Sequence, residues 1–71
     1  MKRLPIDSSS IASVGYDFRA QVLEIEYRGG GTYDYLGVPP DLYHALLNAQ
    51  SKGRFVNYRI KDRYSYRLVS H

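Results

Sequence analysis

Leu23, Ile25 and Tyr27 alternate with Glu24 and Glu26, and Arg28 with three glycines, Gly29, Gly30 and Gly31, separates them from Thr32-Tyr33-Asp34-Tyr35-Leu36. A period of two belongs to a strand with one dry face, and a glycine-rich break between two such runs reads as a hairpin. The pattern reads as a strand, a turn and a return strand in the middle of the chain. A three-residue glycine loop predicts Tyr27 opposite Tyr33 and Ile25 opposite Tyr35, with every large side chain on one face; a two- or four-residue loop would put Tyr33 and Tyr35 on the face of Glu24 and Glu26, and like-sided burial favours the first. The same register predicts Glu26 facing Asp34 on the other side.

Upstream, Ser8, Ser9 and Ser10 precede Ile11, Val14 and Tyr16, a short strand that Asp17 ends. Residues 1–7 read as a loose lead-in. Downstream, Gly37-Val38-Pro39-Pro40 closes the hairpin and opens a helix, since proline is tolerated in a first turn. Asp41 suits the positive helix end. Leu42, Ala45, Leu46 and Ala49 recur at helical spacing, widened by Tyr43 and Leu47. Ser51 is placed to cap a second helix, with Phe55, Val56 and Ile60 inward and Lys52, Arg54, Arg59 and Lys61 mostly outward. Tyr64, Tyr66 and Leu68 then alternate with Ser65, Arg67 and Val69. The expected fold is α+β: a three-stranded antiparallel meander followed by two helices and a short extended C-terminal segment.

At 71 residues the chain holds one domain with a small core. Without cysteine it has neither disulfides nor thiolate metal sites. His44 and His71 are its only imidazoles, so neither a metal nor a cofactor is expected. Stability must come from packing or self-association, and eight tyrosines are the main aromatic resource. Lys2 and Arg3 precede an apolar run that Pro5 and Asp7 end at once, which is no signal peptide. No stretch approaches the length of a membrane span. A cytoplasmic location is expected, with no membrane partner.

The net charge of +3 is unevenly spread. Residues 51–71 hold Lys52, Arg54, Arg59, Lys61, Arg63 and Arg67 against Asp62 alone, whereas the first fifty residues are slightly acidic. Such segregation favours an anionic partner. Cations interleaved with Tyr64 and Tyr66 suit single-stranded nucleic acid, whose phosphates pair with charge and whose bases stack on rings. Catalysis finds no support. Glu24 and Glu26 read as the wet side of a strand, His44 lacks an orienting partner, and the glycine loop leads into a strand where a phosphate loop would lead into a helix. The chain is expected not to be an enzyme. A protein–protein module or homodimer is the other expectation, because tyrosine and arginine are enriched at interfaces.

Several stretches taken in order resemble the KTSC domain, a family named for lysyl-tRNA synthetase C-termini and also occurring as small stand-alone proteins. They are Ser9-x-Ile11 leading to Gly15-Tyr16-Asp17, Tyr33-Asp34-Tyr35, Gly37-Val38-Pro39, Tyr43 through Asn48, Ser51 through Asn57, and Arg63-Tyr64-Ser65-Tyr66-Arg67. The resemblance covers residues 8–69 as a single domain and leaves 70–71 as a tail. Val56 stands where an aromatic is common in the family, and Ser65 where proline is frequent. The resemblance implies RNA or tRNA as partner, through the family's attachment to a tRNA synthetase, and carries over no catalytic residue. Tyr33 and Tyr35 would be its central signature, with core support and base stacking both open as roles.

Overall fold

The turn after Tyr27 sets the register of the sheet. In the computed structural model, which describes residues 1–70, Gly29 takes φ +71, a conformation glycine adopts without strain. The Tyr27 N–H donates to the Gly31 carbonyl at 3.1 Å, and the Gly30 N–H to the Tyr27 carbonyl at 3.3 Å. The turn is therefore Arg28-Gly29-Gly30, and Gly31 joins the ladder. Strands β3 (Val22–Tyr27) and β4 (Thr32–Leu36) pair with Ile25 opposite Tyr33 and Leu23 opposite Tyr35. The expected face is correct, but the partners are two residues off. Glu24, not Glu26, faces Asp34.

The sheet has five strands, not three. β1 (Arg3–Pro5), β2 (Ile11–Asp17), β3, β4 and β5 (Tyr66–Ser70) lie in sequence order, each antiparallel to its neighbours. Helices α1 (Pro40–Asn48) and α2 (Lys52–Arg59) are inserted between β4 and β5. The lead-in thus contributes one edge strand and the extended segment the other. β1 is exposed throughout, so no alternation announces it; it is held by backbone pairing to β2. Gly15 makes room for it, because a Cβ there would stand 2.9 Å from the Lys2 carbonyl oxygen. β5 is likewise exposed along its length. His71, assigned by the sequence to the tail, lies outside the described residues.

Both helices begin as their sequence signals direct. Pro40 occupies the first turn of α1 with Asp41 beside it, and the Ser51 hydroxyl accepts from the Arg54 N–H at the start of α2. They cover one face of the sheet. Ile11, Val14, Leu23 and Ile25 from the strands meet Leu42, Leu46, Val56 and Ile60 from the helical segment in one core, with Val38 between them. The buried stripe of α1 is turned toward Tyr43, and Ala45 is exposed. The reason is aromatic: Tyr43 stacks on Tyr16, centroids 4.8 Å apart and planes 10° from parallel.

The opposite face carries polar side chains laid flat. Arg3 reaches Glu24 at 3.6 Å and Glu26 at 3.9 Å, Ser13 donates to Glu26 at 2.8 Å, and Arg67 pairs with Asp34 at 3.1 Å. Burial, followed by its hydrogen bond and repulsion with Asp34, raises the Glu24 carboxyl above its ordinary pKa, while Arg3 works in the other direction. This face holds itself together as an ionic layer.

Candidate functional site

On the helix-bearing side, where one end of the core meets solvent, four tyrosines from three adjacent strands converge. Tyr27 closes β3, Tyr33 and Tyr35 lie on β4, and Tyr66 opens β5. Parity puts them on one face, and the ladder sets Tyr66 opposite Tyr35. Tyr33 is the hub: its ring centroid is 5.6 Å from Tyr66, 5.9 Å from Tyr27 and 6.5 Å from Tyr35. The Tyr27 and Tyr35 hydroxyls meet at 2.7 Å.

These rings line an open cleft of about 670 Å³, within the size range of small-molecule sites. Its walls come from three further segments: Ser9 and Ser10, the hairpin turn, and Lys61 and Asp62 just after α2. The Lys61 ammonium lies 5.0 Å from the Tyr27 ring centroid, a cation–π distance. Arg28 brings a second cation to the rim while its guanidinium donates to the Ser8 carbonyl at 2.6 Å and the Ile6 carbonyl at 3.2 Å. Arg28 therefore fastens the serine loop as well as charging the rim.

Chemically the cleft offers aromatic faces, hydroxyls, two cations and one carboxylate. Burial raises the pKa of Tyr27, helped by its hydrogen bond to Tyr35. Burial likewise raises that of Tyr35, and that of Tyr16 together with the nearby Asp17 charge. Unfolded phenols ionise near pH 10, so above about that pH the folded state retains protons that the unfolded state has lost. Stability contributed by these three rings is fully present below about pH 10 and declines as pH rises through their folded values. Phenolate absorbance and circular dichroism should show these three ionising together with a cooperative loss of structure. Their smooth ionisation near pH 10 at constant ellipticity would mean that they are accessible.

The residues singled out by sequence do not form one surface. Lys61, Tyr66, Tyr33 and Tyr35 meet at the cleft. Lys52 instead donates from Nζ to the Ala49 carbonyl at the end of α1. Arg63 donates to the Tyr58 carbonyl at 2.9 Å, and Arg67 points to the opposite face, on Asp34. Arg59 lies over Phe55, 5.5 Å from the ring centroid; Arg54 is exposed, and Tyr64 packs against the core. Of Tyr33 and Tyr35, Tyr35 is buried and Tyr33 half-buried, and both line the cleft. Sequence reasoning misses Tyr27, Arg28, Ser9, Ser10 and Asp62 as site residues. Only Tyr27 carries a signal, the parity it shares with Leu23 and Ile25.

Sheet, inserted helices and cleft define a two-layer α+β domain, an antiparallel meander with a helix pair spliced in before its last strand. The chain belongs to the KTSC domain family, whose model matches residues 7–64. A KTSC domain protein from Yersinia pestis, solved by crystallography, superposes with a TM-score of 0.95 at 44% identity over 96% of each chain. A protein from Tsukamurella paurometabola is 47% identical over 60 residues, 84% of this chain and 90% of that one. A lysine–tRNA ligase from Nostoc punctiforme is 36% identical over 64 residues, which are 90% of this chain and only 11% of the ligase.

Proposed function

We propose that this chain is a non-catalytic, cytoplasmic RNA-binding module whose tyrosine cleft seats an unpaired base. The observation that carries the reading is the convergence of Tyr27, Tyr33, Tyr35 and Tyr66 on one open cleft with Lys61 and Arg28 at its rim. Aromatic faces beside cations suit single strands, because every base has a π-face to stack and every nucleotide a phosphate to neutralise. Arg54 and Arg59 on α2 extend the positive charge, whereas Lys52, Arg63 and Arg67 serve mainly the fold. The match to a segment of a lysine–tRNA ligase supports an RNA setting and assigns no role to the segment.

Fluorescence-anisotropy titration with single-stranded RNA, tRNA and duplex DNA between about 50 and 200 mM salt tests this reading. Saturable binding that prefers unpaired RNA is expected. Tyr66→Ala should weaken it by about 1–3 kcal/mol. The combined Arg54→Ala and Arg59→Ala change should flatten the salt dependence by about 0.7 log unit for each phosphate left without its cation. Binding that ignores ligand type, vanishes with salt and survives Tyr66→Ala would refute it.

A second reading, a protein-interaction module or homodimer, is favoured by β5. This edge strand has no proline and exposes Tyr66, Leu68 and Val69, and an unprotected edge is a template for another strand. Light scattering that shows mass rising with concentration, without RNA binding, would select it.

A further inference from the structure

We infer that the cleft is selective for guanine, with the Asp62 carboxylate and the Lys61 ammonium reading the edge of the base. This inference rests on the cleft being the seat of an unpaired base and adds which base it takes.

Asp62 is the single acidic residue of the cleft. It follows the end of α2 with φ +64, a left-handed conformation that glycine adopts freely and that aspartate tolerates better than most residues. The turn sets Lys61 and Asp62 side by side on the cleft wall. Burial is the main cause of the raised Tyr35 phenol, and the Tyr33, Tyr66 and Asp62 charges add to it in that order.

An unpaired base held on aromatic rings is identified by hydrogen bonds to its exposed edge. Along the Watson–Crick edge, guanine presents an acceptor at O6 and then two adjacent donors, N1–H and the N2 amino group. Lys61 and Asp62, adjacent in the lining, offer the complementary groups, an ammonium donor and two carboxylate acceptors. Uracil would set carbonyl oxygens against the carboxylate. Cytosine and adenine offer it one amino group each, next to an acceptor nitrogen that repels it. Only guanine satisfies the carboxylate twice. Of the two phenols joined at 2.7 Å, one donates and the other keeps its O–H free, a further donor among the residues that line the cleft. A cationic ligand fits poorly, because Lys61 already lies over the Tyr27 ring and Arg28 adds a second positive charge.

The test is an NMR titration of the full chain with the 5′-monophosphates of guanosine, inosine, adenosine, cytidine and uridine, alongside single-stranded RNA. GMP should shift the cleft resonances and bind about tenfold more tightly than UMP or CMP, the lower half of the discrimination a bidentate base contact supplies. IMP, which lacks the N2 amino group, should fall between them. Asp62→Asn, which keeps a residue suited to the left-handed backbone, should erase the preference while leaving stacking. Equal binding of all five nucleotides, or an unchanged GMP preference in Asp62→Asn, would overturn the guanine assignment. If no nucleotide perturbs the cleft but single-stranded RNA still shifts its resonances, the guanine assignment fails and the cleft reading stands. If neither binds, both fail.

Discussion

Replacing Tyr16 with alanine is expected to lower the unfolding free energy by about 3–5 kcal/mol, as for other large buried rings. Small domains have total stabilities of about 5–15 kcal/mol, so the variant should sit near the unfolding limit. Three interactions concentrate the effect. The ring stacks on Tyr43, Phe18 packs edge-on at 4.8 Å, and the hydroxyl donates to the buried Val38 carbonyl. That last bond ties β2 to the segment leading into α1, so its removal should loosen the seat of the helix. Tyr16→Phe separates ring from hydroxyl. It should cost only about 1–3 kcal/mol, the penalty for a buried carbonyl left without its donor. Urea denaturation followed by circular dichroism measures both. Equal stability of Tyr16→Ala and wild type would place Tyr16 outside the core.

A larger contrast is expected between two leucines. Leu46→Ala should destabilise by about 2–5 kcal/mol, because Leu46 is fully enclosed where α1 meets the sheet. At about 4–8 °C per kcal/mol for a domain of this size, the melting temperature should fall far enough to resolve in any thermal scan. Leu68, on the outermost strand, is 43% exposed, and Leu68→Ala should fall within about 1 kcal/mol of wild type. Matched destabilisation at the two sites would mean that β5 is covered in solution. The protein-partner reading would then gain ground.

The alternation of β3 and β4 is legible because one face of each strand is dry, and that constraint is written residue by residue. Their pairing partners are not, because Gly31 has no side chain to show whether it belongs to turn or ladder. β1 leaves no trace for a related reason. Arg3, Leu4 and Pro5 are all exposed, so nothing in their order reflects the backbone bonds that hold them. Helix starts are readable from Pro40 and Ser51, whose chemistry acts locally. The tilt of α1 is not, since burial of Tyr43 in place of Ala45 depends on Tyr16, far back in the chain. The candidate site shows the same limit. The basic tract is visible as composition, but whether Lys52 closes a helix end or Arg67 pairs with Asp34 is decided by other segments. The cleft draws on residues from Ser9 to Tyr66, and no local pattern brings those together.

Sequence-ordered strands also decide when the cleft can exist. β1 through β4 are joined by short turns, so their pairing needs only nearby chain segments and should proceed quickly, as local contacts do. The pairing of β4 with β5 is different. It must close across residues 37–65, including both helices, and loop closure becomes costlier with length. Tyr66 rides on that last strand. In a chain whose β5 has not yet paired, the Tyr27, Tyr33 and Tyr35 floor would thus lack its outer wall, and the cleft closes only with the final strand.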